Sequence, residues 1–231
     1  MTSLPRVERP QIVGVIASRA DVDRAVRMRR PPDFFELRLD RLAAVADTVE
    51  ELLPKLRAPL IITARHPREG GSGNLGLRQR RDLLARFLSH ASYIDVELRS
   101  AHTLRSFAGL AENKNIGRIV SFHNFQSTPS SWILAAKARE AKSYGADIFK
   151  VATRMDTPIE LGRLLAFITH NRLNLALAVM GIGKLGAISR VVLARAGSVL
   201  VYASVGAMTD IEGQLSLEQL RALGIDRRRN P

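Results

Sequence analysis

Residues 34–40 read Phe-Phe-Glu-Leu-Arg-Leu-Asp, an alternation that predicts a β-strand with two chemically different faces. Because side chains alternate along a strand, Glu36, Arg38 and Asp40 share one face. The other face carries Phe35, Leu37 and Leu39. The apolar face must pack against helices, so the polar face is expected to point into a closed barrel. Charged groups in such an interior are costly unless they are paired or used. The stretch therefore predicts both a barrel and a polar centre within it.

Strands of this kind recur along the whole chain. Each gap between them holds an amphipathic stretch of helical period, and such an alternation is typical of parallel sheets. The eight apolar, β-branched-rich runs are 12–16, 34–39, 60–63, 93–96, 119–122, 148–151, 175–179 and 199–202. They predict the α/β class and a single-domain (β/α)₈ TIM barrel over residues 1–231, with a loose tail from about residue 227. A doubly wound open sheet is the structural alternative.

The composition removes several classes of function. The 231 residues contain no cysteine, which excludes a disulfide framework, a thiolate metal site and a cysteine nucleophile. No apolar run is long enough to span a bilayer, and the first ten residues lack the apolar core of a signal peptide. A cytoplasmic protein without a membrane partner is therefore expected.

The net charge of +13 raises the possibility of a nucleic-acid-binding protein. The basic residues are not clustered, however, and the 5% of aromatic residues do not interleave the basic runs. We therefore expect most of this charge to be solvated surface and no nucleic-acid partner. Binding to DNA or RNA stays open as the alternative from a different class.

Polar side chains occupy the inward face of the following strands as well. Catalytic groups of such barrels gather at the carboxyl ends of the strands, so a site is predicted there. A structural ion-pair network among Glu36, Arg38, Arg65, Asp95 and Glu97 is the alternative. The polar residues on the inward faces of strands three to six are Thr63, Arg65, Asp95, Glu97, Ser121, His123 and Lys150.

Lys150 is the most informative single residue. The chain has only six lysines, and Lys150 interrupts a stretch, 147–152, that otherwise predicts a buried strand. A lysine in an apolar, cation-rich pocket loses its proton more readily and can attack a carbonyl to form a Schiff base. His123 lies on the preceding strand, about 4.8 Å away, so imidazole and amine could flank one substrate. A lysine buried only to pair with an acid such as Glu97 is the alternative.

Residues 181–186 spell G-x-G-x-x-G after the seventh run. A dinucleotide site requires this pattern in the first βα unit, with an acid about 20 residues further on, so no such cofactor is expected. The glycine-rich loop could still present backbone N–H groups to an anion. Arg190 follows in the next helix and could hold a carboxylate through two parallel hydrogen bonds.

These residues together resemble the type I 3-dehydroquinate dehydratases, which are (β/α)₈ enzymes of the shikimate pathway. Six motifs in order over nearly the whole chain carry the resemblance. Residues 36–40 resemble E-x-R-x-D, 63–71 resemble T-x-R…E-G-G, 121–125 resemble S-x-H-[DN]-F, 147–150 resemble D-I-x-K, 183–190 resemble G-x-x-G-x-x-S-R, and 213–216 resemble the end of A-P-G-Q-x-S.

The resemblance implies a role for each matching residue. Lys150 would form the Schiff base with the substrate ketone, and His123 would remove the adjacent proton and later protonate the leaving hydroxyl in a syn elimination of water. Glu69 would orient His123. The implied substrate is a small anionic cyclic hydroxy acid, with no metal, no diffusible cofactor and possibly a homodimer. The implied binding residues are Glu36, Arg38 and Arg65 for the ring hydroxyls, and Arg190 and Gln214 for the carboxylate.

The sequence departs from the family's pattern in two places. Ile182 stands where the family usually has methionine, which preserves an apolar wall. Asp210 stands where a lid hydroxyl is usual, followed shortly by Glu212, although Thr209 could supply that hydroxyl after a one-residue shift. Acids in the lid would repel a carboxylate substrate. A barrel with impaired catalysis and another Schiff-base barrel of the aldolase kind are therefore the enzymatic alternatives.

Overall fold

Eight parallel strands form a nearly closed barrel in the computed structural model, which describes residues 9–206 and 211–225. Hydrogen-bonded neighbours follow the order β7-β6-β5-β4-β3-β2-β1-β8. The strands are β1 (Gln11–Ile16), β2 (Phe34–Arg38), β3 (Leu60–Thr63), β4 (Ala91–Glu97), β5 (Gly117–Asn124), β6 (Ile148–Arg154), β7 (Ala176–Ile182) and β8 (Leu200–Ser204). The predicted TIM barrel is confirmed, and each predicted run overlaps one strand.

The two ends of the sheet, β7 and β8, meet at the seam of the barrel. The amide of Val199, just before β8, donates to the carbonyl oxygen of Leu177 at 2.8 Å. An open doubly wound sheet would keep its edge strands apart, so this alternative is wrong. The predicted loose tail from about residue 227 lies outside the described residues.

Helices cover the outside of the barrel. The short ones, α2 and α5, follow directly on the ends of β2 and β4, and 3₁₀ turns extend several others. The helices are α1 (Arg19–Arg27), α2 (Leu39–Leu42), α3 (Ala46–Leu52), α4 (Leu77–Phe87), α5 (Leu98–Ala101), α6 (Arg105–Asn113), α7 (Ser131–Ser143), α8 (Pro158–Thr169), α9 (Gly186–Arg195) and α10 (Leu217–Ala222). No helix in the described part of the chain is long and apolar enough to cross a membrane.

Local sequence signals place the helix ends. Helix α7 begins at Ser131, and the side chain of its N-cap residue, Ser130, makes no capping hydrogen bond. Helix α8 begins at Pro158, where Thr157 and Glu160 form a capping box. Gly145 follows α7 with a φ of 78°, a left-handed conformation that glycine adopts without strain.

The strand β2 has the two faces that its sequence predicts. Phe35 and Leu37 are fully buried in the layer between strands and helices, while Glu36 points inward. Strand β2 ends at Arg38, so Asp40 lies in α2 rather than on the strand face where the alternation predicts it. The carboxylate of Asp40 nevertheless turns back to Arg38.

One layer of the barrel interior carries most of the polar chemistry. In TIM barrels the side chains of alternate strands share a layer. The even-numbered strands contribute Glu36, Asp95, Lys150 and Tyr202, and the Lys150 ammonium contacts the other three. Apolar residues such as Phe34 and Ile148 fill the layers nearer the amino ends of the strands. Polar groups are thereby confined to the carboxyl half of the barrel.

Candidate active site

A cavity of about 240 Å³ opens at the carboxyl ends of the strands. It brings together eight of the nine site residues that the sequence predicts, while the ninth, Thr209, lies outside the described residues. The lining includes Glu36, Arg38, Arg65, Glu69, His123, Lys150, Arg190 and Gln214, together with Val15, Arg41, Gly70, Phe125, Ala152, Met180, Ile182, Tyr202 and Ile211.

Lys150 lies at the base of this cavity, in the middle of β6, and is 4% exposed. Its Nζ donates to Glu36 Oε1 at 3.1 Å and to Asp95 Oδ2 at 3.0 Å. The same atom lies 3.8 Å from the centre of the Tyr202 ring. The predicted apolar, cation-rich pocket is therefore an incomplete description, because two carboxylates contact the amine. Neither of them is Glu97.

Asp95 lies between Lys150 and the guanidinium of Arg65 and accepts hydrogen bonds from both. Arg65 donates from Nη1 and Nη2 to the two oxygens of Asp95, at 3.1 and 2.9 Å, and Nη1 also donates to Ser121 Oγ at 2.6 Å. Asp95 accepts from Ser121 as well, so its charge is fully compensated. Arg65 and Lys150 hold the pKa of Asp95 far below its ordinary value, against the effect of burial.

Glu97 anchors the outer side of the same network. It accepts from Arg65 at 3.2 Å, from Arg80 on α4 at 2.9 Å and from the backbone amide of His66 at 2.8 Å. An ion-pair network of the kind considered from the sequence therefore exists, and Arg65 connects it to the cavity. The same residues therefore form a structural ion-pair network and part of the candidate site.

Arg38 stays outside that network. Its Nε and Nη2 donate to the two oxygens of Asp40 at 3.0 and 2.9 Å, and Nη2 also donates to the carbonyl of Gly70. The amides of Arg65 and Ser72 donate to Asp40 too. These hydrogen bonds and the Arg38 charge lower the pKa of Asp40, although burial opposes them. A buried, ionised Asp40 thus fixes the Arg38 guanidinium at the rim of the cavity.

His123 and Glu69 form a further pair that lines the cavity. Strand register places His123 beside Ala152, one inward position nearer the cavity mouth than Lys150. Glu69 Oε2 lies 2.9 Å from His123 Nδ1, and Oε1 lies 3.2 Å from Arg99 Nε. Burial, followed by the charges of Arg65 and Lys150, lowers the pKa of His123 well below 6.5. Burial raises the pKa of Glu69 to about 7.

Phe125 covers the imidazole. The two rings are nearly parallel, with centroids 6.4 Å apart, and Phe125 is 43% exposed. Gly70 lies beneath it with a φ of 85°, and a Cβ there would come within 2.8 Å of the phenyl ring. The left-handed conformation favours glycine at this turn, and a larger residue would also push the exposed Phe125 ring aside.

Arg190 reaches the other side of the cavity from α9. Its Nε and Nη1 donate to backbone carbonyl oxygens, those of Tyr202, Gly181, Gly186 and Gly213. No carboxylate of the described residues forms a salt bridge with Arg190, and burial lowers its pKa to about 10. A buried guanidinium that lines a cavity without an anion is suited to bind one.

The glycine-rich loop does not offer its amides to a ligand. Those of Gly183 and Gly186 donate to backbone carbonyls, and that of Lys184 donates to Asp156. The prediction of an anion site on this loop is therefore wrong. Gly213 instead packs against the loop with a φ of 77°, and a Cβ there would lie 2.5 Å from the carbonyl oxygen of Gly183.

The carboxylate of Glu212 is neutralised rather than aimed at the cavity. Glu212 Oε2 lies 2.9 Å from Arg154 Nη1, and its side chain is half exposed. Glu212 is not among the described residues that line the cavity, whereas its neighbour Gln214 is. Asp210, the other acid of the lid, lies outside the described residues. Met180 and Ile182 form the apolar wall that the sequence predicts.

Two residues that line the cavity, Tyr202 and Phe125, and one that contacts Lys150 at its base, Asp95, have places in the site that the sequence did not predict. Asp95 was recognised as inward-facing but not as the partner of Lys150. Tyr202 shares its strand face with Leu200 and Ser204, so the alternation of β8 could have revealed it. Phe125 closes the motif that begins at Ser121, where it reads as one more apolar residue. No signal in the sequence states which carboxylate meets which cation.

The fold and site together define a (β/α)₈ barrel enzyme site, with a buried lysine at its base, a histidine above it and an arginine across the cavity. A family model, Type I 3-dehydroquinase, matches residues 15–225 of the chain. The chain therefore belongs to the type I 3-dehydroquinase family, and the resemblance seen in the sequence is confirmed.

Individual relatives agree with this assignment. The 3-dehydroquinate dehydratase of Methanothermobacter thermautotrophicus is 33% identical over 193 residues, which cover 83% of this chain and 83% of that protein. That of Thermodesulfovibrio yellowstonii is 31% identical and covers 81% of this chain and 82% of its own. The crystal structure of the Geobacillus kaustophilus enzyme superposes with a TM-score of 0.81 at 26% identity, covering 96% of this chain and 93% of that one. These relatives are hydro-lyases.

Proposed function

We propose that this protein converts 3-dehydroquinate to 3-dehydroshikimate, a step of the shikimate pathway, through a Schiff base on Lys150. The observation that carries the proposal is the placement of a buried lysine one layer below a carboxylate-bound histidine. Arg190, which forms no salt bridge with a carboxylate of the described residues, lines the same cavity. Family membership supplies the substrate. The geometry supports the assignment of roles.

In the first step the ammonium of Lys150 and the substrate ketone give an iminium and water. Two of the three ammonium hydrogens leave with the ketone oxygen, and the C=O bond is replaced by C=N. The positive charge is retained, and Glu36 and Asp95 lie 3.1 and 3.0 Å from the nitrogen to balance it. The iminium then withdraws electrons from the adjacent C–H bond and makes its proton removable.

His123 is the acid and base of the elimination. When Glu69 is ionised, His123 donates its Nδ1–H to it, and Nε2 keeps the lone pair that removes the proton. The same nitrogen then protonates the leaving hydroxyl, so that one water is expelled from one face of the ring in a syn elimination. Water finally hydrolyses the iminium and returns Lys150.

Substrate binding is assigned to groups at the rim and the far wall. Arg190 has the buried positive charge to hold the carboxylate, and Gln214 lines the cavity beside it. Glu36, Arg38 and Arg65 line the same cavity and are assigned to the ring hydroxyls, with Arg38 fixed by Asp40. The cavity residues need neither a metal ion nor a diffusible cofactor for this sequence of steps.

The test is covalent trapping. We expect borohydride, added together with 3-dehydroquinate, to leave a reduced adduct on Lys150 that mass spectrometry locates in the peptide containing residues 147–152. Lys150→Met should give no adduct and no turnover, whereas Lys114→Met, at an exposed site on the outside of the barrel, should behave like the wild type. Absence of an adduct on folded wild-type protein would contradict the proposal.

The same experiment separates the remaining alternatives. An aldolase-like barrel would form adducts with phosphorylated carbonyl compounds but not with 3-dehydroquinate. A barrel with impaired catalysis would form the adduct and release little product. A single domain, a homodimer and a cytoplasmic location remain predictions from the sequence.

A further inference from the structure

Tyr202 presents a hydroxyl group that the reaction described above does not use. It lies on β8, is 3% exposed and belongs to the same barrel layer as Glu36, Asp95 and Lys150. Its Oη is buried and has no hydrogen-bond partner among the described residues. Buried polar groups are nearly always paired, so an unpaired hydroxyl beside reactive groups needs an explanation.

The Tyr202 hydroxyl keeps its hydrogen and can therefore act as a donor. Burial and the charges of Glu36 and Asp95 raise the pKa of Tyr202 well above its ordinary value of 10, so it remains a phenol. The two carboxylates that act on it are those that receive the Lys150 ammonium. Of the two, Asp95 also accepts from Arg65 and Ser121, whereas Glu36 has only Thr63 as a further hydrogen-bond donor among the described residues.

The chemistry of the proposed function changes the number of donors in this layer. The resting ammonium has three N–H groups and gives one each to Glu36 and Asp95. When ammonium and ketone give iminium and water, only one N–H remains on the nitrogen. The two carboxylates then share a single donor where they had two, and one buried charge loses a hydrogen bond.

We propose that Tyr202 is a positioning residue that supplies this missing donor, giving its hydroxyl hydrogen to the Glu36 carboxylate when Lys150 is an iminium. The ring already contacts the lysine nitrogen at 3.8 Å, so the hydroxyl belongs to the group of atoms that must rearrange when that nitrogen is alkylated. Glu36 loses one donor when the ammonium becomes an iminium and keeps Thr63, which donates to its Oε1, so it can accept a further hydrogen bond. The inference rests on the proposed Schiff base at Lys150.

The inference predicts opposite effects on the two states of the protein. Tyr202→Phe removes one oxygen and keeps the ring beneath the ammonium. The resting protein should melt at the same or a higher temperature, because an unpaired buried hydroxyl is removed. The iminium should be less favourable by about tenfold in its equilibrium constant, because a hydrogen bond to a charged group is lost only in that state.

The experiment measures binding and imine formation separately. The adduct fraction after a borohydride pulse is measured by mass spectrometry over a range of 3-dehydroquinate concentrations, in wild type and in Tyr202→Phe. Non-covalent binding is measured with a carboxylate analogue that has no ketone, and should not change. The matched control is Tyr93→Phe, which removes a hydroxyl from another inward-facing tyrosine, two residues before Asp95 on β4 and packed edge-on against Phe34.

Each outcome decides one question. A wild type without adduct refutes the Schiff base itself, and with it the basis of the inference. A wild-type adduct accompanied by the same adduct fraction in Tyr202→Phe overturns only the role of Tyr202. A clear fall in the melting temperature of Tyr202→Phe overturns it too, because the hydroxyl would then be paired in the resting protein.

Discussion

Glu69 holds His123 through one oxygen that makes two contacts. Oε2 accepts the backbone amide hydrogen of His123 at 3.0 Å and lies 2.9 Å from Nδ1 of the same residue. Backbone and ring are thereby fixed by a single carboxylate atom. The protonation state of Glu69 consequently decides which ring nitrogen carries the hydrogen, and so whether Nε2 can act as a base.

Glu69 should make the free energy of unfolding depend on pH. Because burial raises its pKa from 4.5 to about 7, the folded protein binds the Glu69 proton more tightly than the unfolded chain. The associated stability is present below about pH 4.5 and is lost as the pH rises through about 7, a loss of ~3 kcal/mol. Glu69→Gln should therefore gain stability relative to the wild type between pH 5 and 8 in urea unfolding. Parallel curves for the two proteins would contradict this, and exposed Glu140→Gln is the control.

Replacement of His123 should separate imine formation from elimination. His123→Ala keeps Lys150 and its carboxylates, so the borohydride adduct should still form. Turnover should fall by ~10²–10⁴-fold, since general acid–base catalysis is removed. Adduct fraction and steady-state rate are measured on the same samples, with exposed His102→Ala as control. Loss of the adduct in a folded His123→Ala would instead give the histidine a role in forming the imine.

Removal of the lysine charge should destabilise the barrel through the carboxylates that it leaves behind. Lys150→Met breaks two buried ion pairs and is expected to cost ~3–5 kcal/mol in the free energy of unfolding. Adding Glu36→Gln removes one of the two buried carboxylate charges that Lys150→Met leaves without a partner, so the double variant should lose less stability than the sum of the single ones, by at least ~1 kcal/mol. The distant Glu112→Gln should combine additively with Lys150→Met. Additivity with Glu36→Gln as well would mean that the two residues do not interact.

Arg190 should account for recognition of the carboxylate. Arg190→Met is expected to raise KM by ~10²-fold, because a charge-assisted hydrogen-bonding group is lost at the anion. Addition of 3-dehydroquinate should raise the melting temperature of the wild type, by mass action, much more than that of the variant. Arg139→Met, on the exposed face of α7, should match the wild type in both measurements. A variant that changes kcat alone would assign Arg190 to the chemical step.

Much of the barrel could be predicted because a strand can be recognised from the periodicity of a short stretch of sequence. The alternation at 34–40 identifies the face of Glu36 without any knowledge of its neighbours, and the eight repeats fix the order of the elements. The prediction failed for Asp40, where a helical turn replaces the end of the predicted strand. The chain turns into α2 directly after Arg38 and carries Asp40 off the strand, because the Arg38 guanidinium and the Arg65 and Ser72 amides hold its carboxylate there.

The glycine-rich loop at residues 181–186 likewise shows that a local pattern does not reveal contacts with distant segments. Its spacing suggests free amides, but Gly183 and Lys184 donate to Glu212 and Asp156, which lie far away in the sequence. A backbone amide can be judged available only when its competitors are known, and those come from other loops at the same end of the barrel.

The sequence by itself determined the class of fold, the inward faces of the strands and the candidate residues, because periodicity and residue type are properties of short segments. Only the tertiary structure decided the partners: that Lys150 meets Glu36 and Asp95 rather than Glu97, that Arg38 turns to Asp40, and that the Tyr202 hydroxyl has no partner among the residues that the structure describes. Pairing in a barrel interior depends on strand register and side-chain reach across the barrel, which join residues as far apart as Glu36 and Lys150, 114 positions from each other.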